Sequence, residues 1–173
     1  MAYCTVTLSG LSIDCNTNVG GIREAYITSY ANGIFTSASG AVTGVNSAAT
    51  WYQYNFKKDT GNFTSTLNVD AANGVNYVST EINLVFARME TAKRVEMAAL
   101  ALGELAVIIK DSNNNYWAFG VEESVVANAG SAETGTARGD ANQYSITLLD
   151  TASSFPMQLS DEAVTAFKAH VNA

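Results

Sequence analysis

Between residues 51 and 89 the chain alternates polar and apolar side chains with a period of two, a pattern that suits antiparallel β-structure and no helix. Tyr52, Tyr54 and Phe56 fall on one side of a first strand, and Trp51, Gln53 and Asn55 on the other. Residues 58–62 predict a hairpin turn. On the return strand Phe63, Leu67 and Val69 oppose Asn62, Thr64, Thr66 and Asn68, with Ser65 the small member of the apolar side. Asn73-Gly74, which tolerates positive φ, turns the chain again. The long strand that follows sets Val78, Ile82, Leu84 and Phe86 against Tyr77, Ser79, Glu81 and Asn83, and loses its alternation at Val85 and Ala87, where cover on both faces is expected. One face is apolar and the other amide and hydroxyl, as expected of a sheet covered on one side.

The remaining segments extend this plan. Residues 3–8, 22–30 and 144–149 read as strands, and 105–110 with 116–120 as a hairpin around an Asn-rich turn. The period changes to 3.6 at residues 91–104, where Thr91 is positioned to cap a helix directing Ala92, Val95, Ala99 and Leu102 to the core. Ser160, followed by Asp161 and Glu162, starts a C-terminal helix with Val164, Phe167 and Val171 on one face. The expected fold is mainly β (α+β): an antiparallel β-sandwich or barrel with one flanking helix, a long inter-strand arm and a C-terminal helix. Residues 1–173 are long enough for one well-buried core and predict a single domain.

Two stretches lack this periodicity. Residues 31–50 are Gly, Ser, Ala, Thr and Asn without one charge, too long for an ordinary hairpin connection. They carry Ile34, Phe35, Val42 and Val45, which a merely solvated linker does not need. The expectation is an extended arm, unstructured alone, whose four apolar anchors dock on a neighbouring molecule. Residues 122–142 read as a second long loop.

Charged residues make up 14% of the chain, well below the roughly 25% of soluble domains, so its exterior must be hydroxyl, amide or covered by partners. A net charge of −7 argues against gripping nucleic-acid phosphates. Cys4 and Cys15 are expected as free thiols, because the N-terminal residues lack the basic and apolar regions of a secretion signal. No run approaches the roughly 18 apolar residues of a membrane span, so the chain is expected to be made in a cytoplasm and stay soluble. His170 is the single histidine, and neither a metal cluster, a P-loop nor a dinucleotide fingerprint is present. Glu122 and Glu123 are adjacent on an extended segment and point to opposite faces, unlike a catalytic pair. Trp51, Tyr52, Tyr54, Trp117 and Phe119 could stack on a sugar, but core packing in a sandwich accounts for them better. No enzyme activity and no cofactor are expected.

The order of elements resembles the tail tube proteins of tailed bacteriophages, related in fold to the inner tubes of contractile injection machines. The likeness covers nearly the whole chain. It rests on the arm 31–50 between two strands, on the helix after Phe86-Ala87-Arg88-Met89-Glu90, and on the segments 14–22 and 134–140. It implies a virion structural protein that assembles with itself in the host cytoplasm into rings, commonly hexameric, stacked as a conduit for DNA ejection. The arm residues Ile34, Phe35, Val42 and Val45 would then contact the next ring. Thr64, Thr66, Asn68, Ser79, Glu81 and Asn83 would line the lumen, and genomic DNA would pass without specific binding. Other tail proteins are implied partners and a membrane is not. A capsid decoration or head-to-tail joining protein is the alternative within virions, and a carbohydrate-binding β-sandwich the alternative from another class.

Overall fold

The computed structural model describes residues 8–12 and 18–172. Cys4, Cys15 and all but Leu8 of the expected first strand lie outside them. In chain order the elements are β1 (Ile22–Ser29), β2 (Phe35–Ala38), β3 (Ala41–Val45), β4 (Trp51–Tyr54), β5 (Asn62–Asp70), β6 (Val75–Ala87) and α1 (Thr91–Leu102). There follow β7 (Leu105–Asp111), β8 (Tyr116–Phe119), β9 (Val126–Glu133), β10 (Gln143–Ala152), β11 (Met157–Leu159), α2 (Asp161–Lys168) and β12 (Val171–Asn172). The fold is mainly β, with an eight-stranded sheet ordered β12-β4-β1-β7-β8-β11-β3-β2 and a four-stranded sheet ordered β5-β6-β10-β9.

The two sheets pack face to face. Ala25 and Ile27 of β1, Val107 and Ile109 of β7, and Phe119 of β8 meet Ile82, Leu84, Ile146 and Leu148 from the smaller sheet. The larger sheet is covered on its other side as well, which is why Leu105–Ile109 reads as a continuous apolar run and every one of those residues is buried. That second core collects Tyr26, Ile108, Trp51 and Leu159 around Phe167 of α2. Ser160 caps α2, its Oγ accepting the Ala163 N–H at 3.2 Å, and so fixes where the helix starts.

The larger sheet curls around α2 until its ends nearly meet. β4, second in the strand order after the short β12, and β2 at the opposite end are six strands apart, yet the Trp51 and Phe35 ring centroids are 5.8 Å apart. Phe167 lies inside the curl, 5.2 Å from the Tyr26 ring and 6.2 Å from Trp51. Each fully buried ring of this kind stabilises the fold by roughly 1.5–3 kcal/mol.

Two connections differ from the sequence reading. The turn 58–62 does not close a hairpin, because β4 and β5 belong to different sheets and the chain crosses from one layer to the other. Gly61 is buried at this crossing, where a Cβ would come within 2.8 Å of Ile22 and Phe56 side-chain atoms. The stretch 122–142 is not one loop: β9 pairs along β10 from Gln143↔Glu133 to Leu149↔Val126. Its Ala, Gly and Ser side chains are nearly all exposed, so no alternation betrayed the strand.

Candidate functional site

The outward face of the four-stranded sheet is the most distinctive surface of the molecule. β5 and β6 pair with Thr64 opposite Glu81, Thr66 opposite Ser79, Asn62 opposite Asn83 and Asn68 opposite Tyr77. Directly opposed residues share a face, so Thr64, Thr66, Asn68, Ser79, Glu81 and Asn83 stand together on one surface. β10 continues it with Ser145, Thr147, Leu149 and Thr151, set opposite Val85, Asn83, Glu81 and Ser79. Thr147 donates through Oγ1 to Asn83 Oδ1 at 2.7 Å, and the Ser131 and Ser145 hydroxyls bond at 2.8 Å. The sequence reading missed Ser145, Thr147 and Ser131, although Gln143–Leu148 alternates as clearly as β5. The charged members are Asp70, Glu81 and Glu133, without a lysine or arginine. Asp70 closes its strand by accepting the Ala72 and Asn73 N–H groups, and the bonds from Asn73 hold its carboxyl below the usual range.

Among the described residues both rims of this sheet lack a strand partner, and α1 packs against β9. β5 pairs with β6 alone and β9 with β10 alone, leaving one side of each without a strand partner. Neither rim strand contains proline or lysine, the residues with which natural sheets commonly block edge-to-edge joining.

The apolar anchors of residues 31–50 do not stand free. Ile34, Phe35 and Val42 are buried in the second core, and Val45 packs against it half-buried. The segment is a hairpin built into the eight-stranded sheet: β2 pairs β3 through the two-residue turn Ser39-Gly40, and β3 runs parallel to β11. Ser39 at φ 53° and Gly40 at φ 81° both adopt the positive φ that a tight hairpin turn of this hand requires. The expected unstructured arm is thus corrected, because the apolar side chains of this hairpin find cover within their own chain.

α1 shows the opposite error. Leu100 is its one buried residue and Met97 packs beside it, while Ala92, Ala99, Val95 and Leu102 are exposed. Its N-cap is Glu90 rather than Thr91, with Lys93 Nζ 2.8 Å from Glu90 Oε1. At and beyond the end of β10, the hairpin of β5 and β6 exposes Leu67 and Val69 on one face and Val75 and Tyr77 on the other.

The acids at 122 and 123 flank a buried carboxyl that the sequence did not mark. Asp150 sits at the end of β10, where its Oδ1 accepts the Gly120 N–H at 3.1 Å. Burial pushes its carboxyl up to about 6, and the nearby Glu122 and Glu123 push the same way against that hydrogen bond. Glu122 is committed to the local structure, accepting the Ser153 N–H at 2.8 Å. Of the aromatics weighed as a sugar platform, Trp51 and Phe119 are fully buried and Trp117 packs into the first core. Among the described residues no group of His, Cys, Asp and Glu could hold a metal ion, and no helix is long and apolar enough to cross a membrane. No protein-family model and no curated protein matches the chain.

Proposed function

We propose that the chain is a structural, non-enzymatic subunit of a bacteriophage tail tube, in which copies join into closed rings that stack into a conduit for DNA. The observation that carries this reading is the four-stranded sheet: an outward face centred on hydroxyl and amide side chains, with Tyr77, Val85 and Leu149 among them, bounded by two edges that lack a strand partner among the described residues. Joining β5 of one copy to β9 of the next satisfies the backbone groups of both edges, and repetition closes the sheet into a barrel. The polar face then lines the lumen. Hydroxyls and amides keep such a wall wet, while Glu81 and Glu133, repeated around every ring, repel phosphate. The exposed stripe Ala92, Val95, Ala99 and Leu102 of α1 gives neighbours in the assembly an apolar area to cover. With Ile34, Phe35 and Val42 committed to the core, contact between rings falls to other surfaces.

Negative-stain images of the purified chain at high concentration test the proposal. Hollow tubes or stacked rings are expected. A monodisperse monomer at every concentration would overturn it, and a monomer that binds glycans would favour the carbohydrate module instead. A discrete trimer would fit a capsid decoration protein.

A further inference from the structure

Asn73 and Gly74 stand at the tip of the β5–β6 hairpin, and the chain has one other Asn-Gly pair, Asn32-Gly33. An asparagine followed by glycine is open to attack by its own backbone. No Cβ shields the glycine nitrogen, and the freedom of glycine in φ and ψ lets that nitrogen approach the carboxamide carbon. Both pairs are exposed, and among the described residues neither glycine N–H donates a hydrogen bond. They differ in how firmly the flanking chain is held.

Asn32-Gly33 is pinned. It forms the centre of a tight turn closed by the Ile34 N–H donating to Ala31 O at 3.1 Å, and Ile34 O in turn accepts the Asn46 N–H at 2.9 Å. On the other side the Tyr30 N–H donates to Glu104 O at 2.9 Å. Closing a ring between Asn32 and Gly33 has to open this turn against Ile34 and Phe35, both buried in the second core. Asn73-Gly74 ends the loop 71–74 between Asp70 and Val75, the last pair of its hairpin. β10 stops opposite Val78, so residues 75–77 pair with β5 alone. Val69 and Val75 beside the loop are 66 and 47% exposed, and a Cβ on Gly74 would meet nothing within 4 Å, so a change of shape here disturbs no core. What holds the loop is Asp70. Its Oδ1 accepts the Ala72 and Asn73 N–H groups at 3.0 and 3.2 Å, and its Oδ2 accepts Asn73 Nδ2 at 2.6 Å. On an exposed turn such bonds exchange with water, and they slow ring closure without stopping it.

We propose that Asn73 is a site of spontaneous covalent modification, converted to aspartate and isoaspartate while Asn32 is preserved. The Gly74 backbone nitrogen loses its proton to solvent and bonds to Asn73 Cγ; the Cγ–Nδ2 bond breaks, and the nitrogen takes up a proton and leaves as ammonia. The product is a cyclic imide. Water adds to one or other of its two carbonyls and opens the ring, giving aspartate or the isoaspartate isomer whose main chain runs through the former side chain. Nothing is oxidised or reduced: one water enters and one ammonia departs. Either product sets a carboxylate against that of Asp70, where Asn73 had donated a hydrogen bond. Two carboxylates so placed repel, and the fastening of the hairpin tip is lost. Isoaspartate also lengthens the main chain of the turn by one atom.

The experiment incubates the full-length chain in mildly alkaline buffer made with heavy-oxygen water, folded and in parallel in urea, and follows both pairs by mass spectrometry of proteolytic peptides. In the folded chain Asn73 is expected to exchange its amide nitrogen for one heavy oxygen, in two products of equal mass separable by chromatography. It is expected to do so at least ~tenfold faster than Asn32, equivalent to about 1.4 kcal/mol of additional cost for opening residues 31–34. In urea the two pairs are expected to react at similar rates, because the structure that distinguishes them is gone. Asn73→Gln is expected to fold and to stay unmodified at that position, since its ring closure needs one more methylene. Asn73→Asp, which supplies the new carboxylate directly, is expected to speed amide exchange of residues 68–77. A folded chain that keeps Asn73 intact under conditions that convert it in urea, or that converts Asn32 as fast as Asn73, would overturn the proposal. Unchanged exchange in Asn73→Asp would overturn the consequence for the hairpin tip.

Discussion

Phe35 shows how one side chain carries two opposite readings. In the sequence it is an unexplained aromatic in a polar, glycine-bearing stretch, which suits an anchor for a neighbour. In the fold it is buried beside Trp51. Phe35→Ala is therefore expected to destabilise the free subunit by about 3–5 kcal/mol in urea unfolding, where an anchor waiting for a partner would leave the free subunit unchanged. Asp150 yields a second expectation. Its carboxyl is raised from an ordinary 3.8 to about 6, so the folded state holds its proton more tightly than the unfolded chain. The associated stability is complete below about pH 4 and is lost as pH rises through 6. Asp150→Asn, which keeps an acceptor for the Gly120 N–H, is expected to gain about 2–3 kcal/mol at pH 7.5 and to flatten the slope of stability between pH 4 and 7. Thermal unfolding across that range measures both.

At the scale of elements, legibility followed the covering of faces. β5 and β6 are half-covered and alternate, so their existence and the membership of their polar face could be read directly from Thr64, Thr66, Ser79, Glu81 and Asn83, whereas β10 was legible as a strand without its share of that face. β9 is made of small exposed residues with little to alternate, and the β2–β3 hairpin turns on Ser39-Gly40, a weaker signal than Asn-Gly. α1 misled because its apolar spacing is real while its packing is not: Leu100 enters the core and the stripe through Val95 and Leu102 does not. Val95→Ser with Leu102→Ser is expected to change free-subunit stability by no more than about 0.5 kcal/mol per site, against 2–5 kcal/mol for Leu100→Ala. Guanidinium titrations of the three proteins decide it. On the rim, Thr66→Lys places an edge charge on β5 and is expected to block ring formation, read by sedimentation velocity, while leaving the melting temperature of the subunit unchanged.

Taken whole, the molecule divides its packing by layer. The curled eight-stranded sheet with α2 inside is a self-contained core, and residues 31–50 belong to it. The four-stranded sheet laid across it has an outward face centred on hydroxyls and amides, two edges without a strand partner among the described residues and a projecting hairpin. The tube reading requires β5 and β9 of adjacent copies to pair. Amide hydrogen exchange of the assembled and the free chain measures this strand by strand. Slowed exchange along both 62–70 and 126–133 on assembly, with 31–50 equally protected in both states, is the predicted result. Rims that exchange as fast in the assembly as in the free subunit would contradict it.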